Sequence, residues 1–214
     1  MRGKLIFLFG IDGSGKSTIL KMLENSGLNN AVYMSCLTNA VFEEELYQAE
    51  RKLHFSRGDI FSHEFKHLLH IGSVIYKMFD VILPLLESGR NVILDRYVIC
   101  IKLFTDLFLD HSYHCLSRAL DCMPIPDLGI YFDVDIAIQR ITERSKKTGI
   151  PPHYSESMES LIKKKAGYVD IIPNERYSIL RIDANQNINE VYSSVVRILN
   201  EICVPDSAVD QGYP

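Results

Sequence analysis

Leu5-Ile6-Phe7-Leu8-Phe9-Gly10-Ile11-Asp12-Gly13-Ser14-Gly15-Lys16-Ser17-Thr18 is the stretch that decides the fold. Its first five residues are apolar and β-rich, and they read as a strand covered on both faces. The next eight match G-x-x-x-x-G-K-[ST] in full, and a helix-forming run opens at Ser17. The glycines let the backbone wrap tightly, so that successive N–H groups point inward at phosphate oxygens. The following helix N-terminus adds about half a positive charge in the same direction. In such a loop Lys16 reaches the β- and γ-phosphates of a triphosphate, and the Ser17 hydroxyl ligates Mg2+. A Gly-rich turn carrying an unrelated lysine is the rival reading, and it leaves the strand–loop–helix order unexplained. Gly10, Asp12, Gly13, Ser14, Gly15, Lys16, Ser17 and Thr18 are therefore the nucleotide-binding candidates, with no reaction yet fixed.

Outward from that loop, short β-rich runs alternate with helical stretches. Strands are predicted over 4–9, 31–36, 91–95, 128–133 and 177–182, and helices over 16–26, 42–54, 61–88, 99–122, 136–147, 156–170 and 188–202. Gly27, Gly89 and Gly149 stand where C-terminal caps belong. The alternation implies an α/β fold, a doubly wound five-stranded parallel sheet flanked by helices. At roughly 150 residues per domain, the 214 residues suit one domain, 1–204, followed by a polar, loosely ordered tail at 205–214.

Composition narrows the function classes. Hydrophobic residues make up 47% and charged residues 23%, too apolar a mixture for a disordered chain. Lys+Arg 23 against Asp+Glu 27 leaves a net charge of −4, which argues against a chain built to grip a nucleic-acid backbone. The basic clusters at 144–147 and 163–165 are short. Five cysteines, an odd number without a C-x-x-C pair, read as thiols in a reducing compartment. The apolar stretches are interrupted by Asp80, Pro84 and Glu87 or by Lys102, Asp106 and Asp110. No signal sequence or membrane span is expected, and the predicted location is the cytoplasm.

A second acid belongs beside the loop. Val92-Ile93-Leu94-Asp95-Arg96-Tyr97 ends a buried strand with an acid and a base, and carboxyl ends of parallel strands line the ligand crevice. Asp95 there can hold a Mg2+ hydration shell, and Arg96 can neutralise charge on a transferring phosphoryl group. The alternative makes Asp95 the N-cap of the next helix.

With these residues in hand, the chain resembles the thymidylate kinase family of nucleoside monophosphate kinases over most of its length. Gly10–Thr18 (GIDGSGKST) resembles that family's phosphate loop, and Asp95-Arg96-Tyr97 its D-R-Y signature. Tyr131-Phe132-Asp133-Val134-Asp135, followed by Arg140 and Arg144, is similar to the strand and helix leading into its lid. Gly167-Tyr168 resembles the G-Y after the lid, and Ile182-Asp183-Ala184 the ending beside the adenine pocket. The resemblance implies a P-loop NTPase fold with a helical lid near 142–165, ATP and Mg2+ as cofactors, dTMP as first acceptor, and a homodimer. It implies Lys16, Asp95, Arg96, Arg144 and Asp12 as catalytic residues and Ser17 with Asp95 at the metal. Arg140 and Ala184 would bind the cofactor, and Asp12, Arg96, Tyr97, His70 and Phe104 the acceptor. A homodimer could use the apolar face of 99–122, unless that face is core.

The departures cluster in the acceptor half. The family's Arg-bearing turn after the second strand is replaced by Cys36-Leu37-Thr38-Asn39, and its stacking Phe and following Arg by His70 and Val74. Of three cations expected around an acceptor phosphate, Arg96 alone is evident, and a buried dianion needs paired donors. Other bases (Arg51, Lys52, Arg57, Lys66, His67, His70, Lys77) could hold a monophosphate; alternatively the acceptor is a nucleoside or another hydroxylated small molecule. A third reading is a non-catalytic nucleotide-binding switch, for which no guanine-reading N-K-x-D is present. His63-Glu64-Phe65-Lys66-His67 matches the zinc motif H-E-x-x-H, but that reading leaves the phosphate loop idle. The same histidines could line the acceptor pocket.

Overall fold

The computed structural model describes residues 2–36, 52, 63–109, 114–149, 152 and 156–203. Five parallel strands form one sheet in the order β2-β3-β1-β4-β5: β1 (Leu5–Phe9), β2 (Ala31–Ser35), β3 (Asn91–Asp95), β4 (Leu128–Asp133) and β5 (Ile179–Asp183). The three central strands are buried at every position, as their unbroken apolar runs require. The edge strands β2 and β5 are partly open. Around the sheet lie α1 (Lys16–Ser26), α2 (His63–Lys77), α3 (Leu83–Glu87), α4 (Val98–Phe108), α5 (His114–Ser117), α6 (Ala137–Thr148), α7 (Met158–Ile171) and α8 (Ile188–Cys203). The sequence-expected helix over 42–54 lies outside the described residues apart from Lys52.

Two elements differ from expectation. The stretch 61–88 is not one regular helix: a π-turn, Met78–Ile82, joins α2 to α3, and Leu83 N–H bonds to Met78 O. Pro84 explains it, because a proline lacks an N–H and its ring crowds the carbonyl four residues back. Ile71, Val74, Met78, Ile82 and Leu86 nevertheless stay in the core, while Phe65, Leu68, Tyr76 and Phe79 are 41–50% exposed. Apolar on two faces, residues 67–87 are long and apolar enough to cross a membrane by length and composition alone.

The stretch 99–122 is also broken. α4 ends at Phe108, where Leu109 turns extended, and the chain resumes as α5 and a 3-10 turn, Arg118–Cys122. Ile99, Cys100, Ile101 and Leu103 are core, so the apolar face of α4 packs inward.

Candidate active site

Among the described residues, the candidate side chains gather around the carboxyl ends of β1, β3 and β4. The register pairs Leu8 with Asp95, and Arg96 N–H donates to Leu8 O at 2.8 Å, which fixes the second acid beside the phosphate loop. Gly13 has φ 79° and an added Cβ would lie 2.7 Å from Ala137 O, so the loop can be tight here only with glycine. Lys16 is buried and donates to Ile11 O and Ser14 Oγ, both at 2.8 Å. Burial, and then the charge of Arg96, pushes its ammonium down to about 8.

Ser17 Oγ donates to Asp95 Oδ2 at 2.7 Å. Asp95 Oδ1 is buried with no hydrogen-bond partner among the described residues. A hydroxyl and a carboxylate with an unmatched oxygen form the hard-oxygen donor set that suits Mg2+ and its water. Asp95 is no helix cap: α4 begins after Tyr97 without a side-chain cap.

Arg96 stands in the left-handed region, φ 71°, uncommon for a residue with a Cβ. That turn aims its guanidinium back at the loop, where Nη2 donates to Asp12 Oδ1. The other oxygen of Asp12 accepts from Lys164 Nζ at 2.5 Å. Burial alone would raise the Asp12 carboxyl; Arg96, Lys164 and Lys16 outweigh it and hold the group far below the usual carboxylate range. Burial would likewise lower Arg96, but Asp12 keeps it firmly protonated.

Lys164 is the residue that single-motif reading passes over. It lies one helical turn before Tyr168, on the same face of α7, and that spacing is the signal that could have revealed it. α7 comes this close because Gly167 meets Leu103 of α4, where a Cβ would sit 2.4 Å from Leu103 Cδ1. Beside it, Lys165 pairs with Asp133 at 3.0 Å and also with Asp135, tying α7 to the end of β4.

The remaining candidates divide. Arg140 Nη2 donates to Ala184 O at 2.9 Å, uniting two cofactor-binding candidates, and its guanidinium lies 3.9 Å from the position a Cβ on Gly15 would take. Arg144, expected to serve catalysis from the lid, instead makes a two-pronged pair with Glu156, both contacts 2.7 Å, and is half-exposed. Tyr97, expected at the acceptor, is a core residue: it is 2% exposed, its ring meets Phe7 at a tilt with centroids 5.4 Å apart, and it donates to Pro124 O at 2.6 Å. Val74 is core as well. Lys77 donates to Ser35 O at 2.9 Å and Lys52 is exposed. Arg51, Arg57 and residues 37–39 lie outside the described residues, as do the side chains of His63 and Lys66.

Of the histidine stripe, the side chains of His67 and His70 are described, and His67 is taken up by a contact within the fold. Thr105 Oγ1 donates to Ile101 O, so His67 Nε2 must be the donor in its 2.8 Å bond to Thr105 Oγ1. Burial, and then His70, pushes His67 down to about 4, so the ring is neutral at pH 7. His70 is also lowered, by burial and then by Lys77 and Arg96. His67 stacks on Phe104 with centroids 5.4 Å apart, and Phe104 meets Phe108 at 5.0 Å.

A phosphate cradle on β1–α1, an acid from β3 and cations converging on it define a protein of the P-loop NTPase fold. The fold agrees with that of the solved thymidylate kinase from Candida albicans, with TM-score 0.67, 23% identity, and 94% of this chain and 92% of that one covered. By sequence the chain is 27% identical to a probable thymidylate kinase of Methanococcoides burtonii, covering 94% of this chain and 98% of that protein. It is 26% identical to a thymidylate kinase of Ligilactobacillus salivarius, covering 94% and 99%. Residues 9–195 match the thymidylate kinase family model. The chain belongs to the thymidylate kinase family and is an enzyme of the nucleoside monophosphate kinase type.

Proposed function

We infer that the protein moves the γ-phosphate of ATP to a nucleoside monophosphate, dTMP first among acceptors, with Mg2+. The observation that carries this choice over a hydroxyl acceptor is the Asp12 carboxylate clamped between Arg96 and Lys164. A hydroxyl acceptor needs a general base, and a carboxylate held this far below its ordinary range is a poor one. A monophosphate oxygen is already nucleophilic, and the surrounding cations suit it.

In this reading Lys16 exchanges Ile11 O and Ser14 Oγ for donor phosphate oxygens, contacts already arranged at 2.8 Å. Ser17 and Asp95 would hold Mg2+, which supplies charge neutralisation between the donor phosphates. Arg96 stabilises the loose in-line transition state, and Arg140 with Ala184 frames the donor base. The lid excludes water, which would otherwise hydrolyse ATP.

A homodimer fits the second apolar face of α2 and the turn after it: Leu68, Tyr76 and Phe79 are exposed in helical register, and among the described residues nothing lies within 4 Å of a Cβ on Gly72 between them, which leaves room for the close approach of a partner helix. The reduced thiols and the substrates suit a cytoplasmic enzyme. A coupled ADP-release screen over nucleoside monophosphates and nucleosides tests the reaction. Release that requires a monophosphate supports it. Turnover with nucleosides alone, or nucleotide binding that no acceptor converts into turnover, overturns it.

A further inference from the structure

The acceptor half lacks a base in the turn after β2, since Cys36-Leu37-Thr38-Asn39 carries none, yet in the phosphate loop after β1 the largely buried Asp12 carboxylate is held by two cations. Lys164 Nζ and Arg96 Nη2 take opposite oxygens of Asp12. The three side chains are only 12%, 26% and 17% exposed. Lys16 also acts on Asp12, and Asp95 on Lys16, so among the described residues Lys16, Arg96 and Lys164 converge at these strand ends, a field that favours a further anion. An ammonium has three donors and a guanidinium five, so both can keep Asp12 and bind a phosphate oxygen as well.

Lys164 is also placed for a ligand that continues away from the phosphate. Its ammonium lies 5.9 Å from the centroid of the Phe108 ring, within reach of a cation–π attraction that orients it. Phe108 contacts Phe104, and Phe104 stacks on the neutral His67. Phe104 and Phe108 are half-buried. One wall thus runs from a cation pair to a row of flat rings, the two ends that a nucleoside monophosphate presents.

We propose that Lys164 binds the acceptor's phosphate together with Arg96, as the second donor that the turn after β2 does not provide. This deepens the monophosphate reading and rests on it. Because Lys164 comes from the part of α7 that falls within the expected lid segment 142–165, acceptor binding and lid position are coupled through one side chain.

The test compares wild type with Lys164→Met and Lys164→Arg. For each protein, kcat and both KM values are measured with the monophosphate turned over fastest, and calorimetry follows binding of that monophosphate and of its nucleoside. The expected result is an acceptor KM at least tenfold higher in Lys164→Met, with KM for ATP within twofold and nucleoside binding unchanged. Lys164→Arg should recover most of the loss. An unchanged acceptor KM with a lower kcat would assign Lys164 to orienting Asp12 and overturn the proposal, as would equal weakening of monophosphate and nucleoside. If Lys164→Met fails to fold, Lys164→Gln takes its place, and an acceptor KM within twofold of wild type there, with a native melting profile, overturns the proposal. Should wild type turn over no monophosphate and bind none, the reaction reading itself fails and this assignment with it, which the first measurement shows before any variant is made.

Discussion

Arg96 shows how one residue can carry both strain and function. Its left-handed backbone, φ 71°, costs on the order of 1–2 kcal/mol for a residue with a Cβ, and in return its guanidinium faces the phosphate loop. Removing that charge from the transition state should lower kcat by about 10²-fold or more in Arg96→Ala; near-normal turnover would refute the role. His67 makes a second residue-scale prediction. Its folded pKa, about 4, lies below the ordinary 6.5, so between those values the unfolded chain takes up a proton that the folded ring refuses. Stability is therefore full above pH 6.5 and declines as pH falls toward 4. Allowing for solvent near the ring, the loss should be about 1–2 kcal/mol. Urea unfolding at several pH values checks this, and His67→Gln, which can still donate to Thr105, should flatten the slope.

At the scale of elements, the phosphate loop tolerates little change. Gly13→Ala would force a Cβ to 2.7 Å from Ala137 O at φ 79°, and either the loop or the start of α6 must move. The expected outcome is at least tenfold weaker ATP binding by calorimetry, with a stability cost of about 1–2 kcal/mol. The loop and its flanking elements were legible from the sequence because their signals are local: an apolar run, three glycines and a helix start. Helix 16–26 was expected and found with those bounds, and so were strands 91–95 and 128–133. The breaks in 61–88 and 99–122 were not, because apolar periodicity continues through Pro84 and past Phe108 whether or not the backbone stays α-helical. Pro84 was noted as an interruption of apolar character, when its lasting effect is on the hydrogen-bond ladder.

For the molecule as a whole, the outward face of α2 and of the turn after it is the notable apolar surface among the described residues. Leu68, Tyr76 and Phe79, exposed around a glycine with open space beside it among the described residues, form the kind of patch that a monomer seldom leaves uncovered. The double variant Tyr76→Glu with Phe79→Glu should convert a dimer of wild type to monomer in sedimentation, with thermal unfolding still cooperative. A wild type that sediments as a monomer at micromolar concentration would remove the dimer from the account.

The sequence by itself determined the sheet, the phosphate cradle and the two strand-end groups Asp95 and Arg96. Those features depend on short spacings that the chain cannot satisfy in another way. It could not determine which distant side chains meet. Tyr97 follows Arg96 directly, yet the backbone at this strand end sends one into the crevice and the other into the core. Lys164 stands 152 residues from Asp12, and only the packing of α7 on α4 through Gly167 brings it there. Such a contact is set by how closely two helices approach, a property of the assembled core that no local pattern encodes.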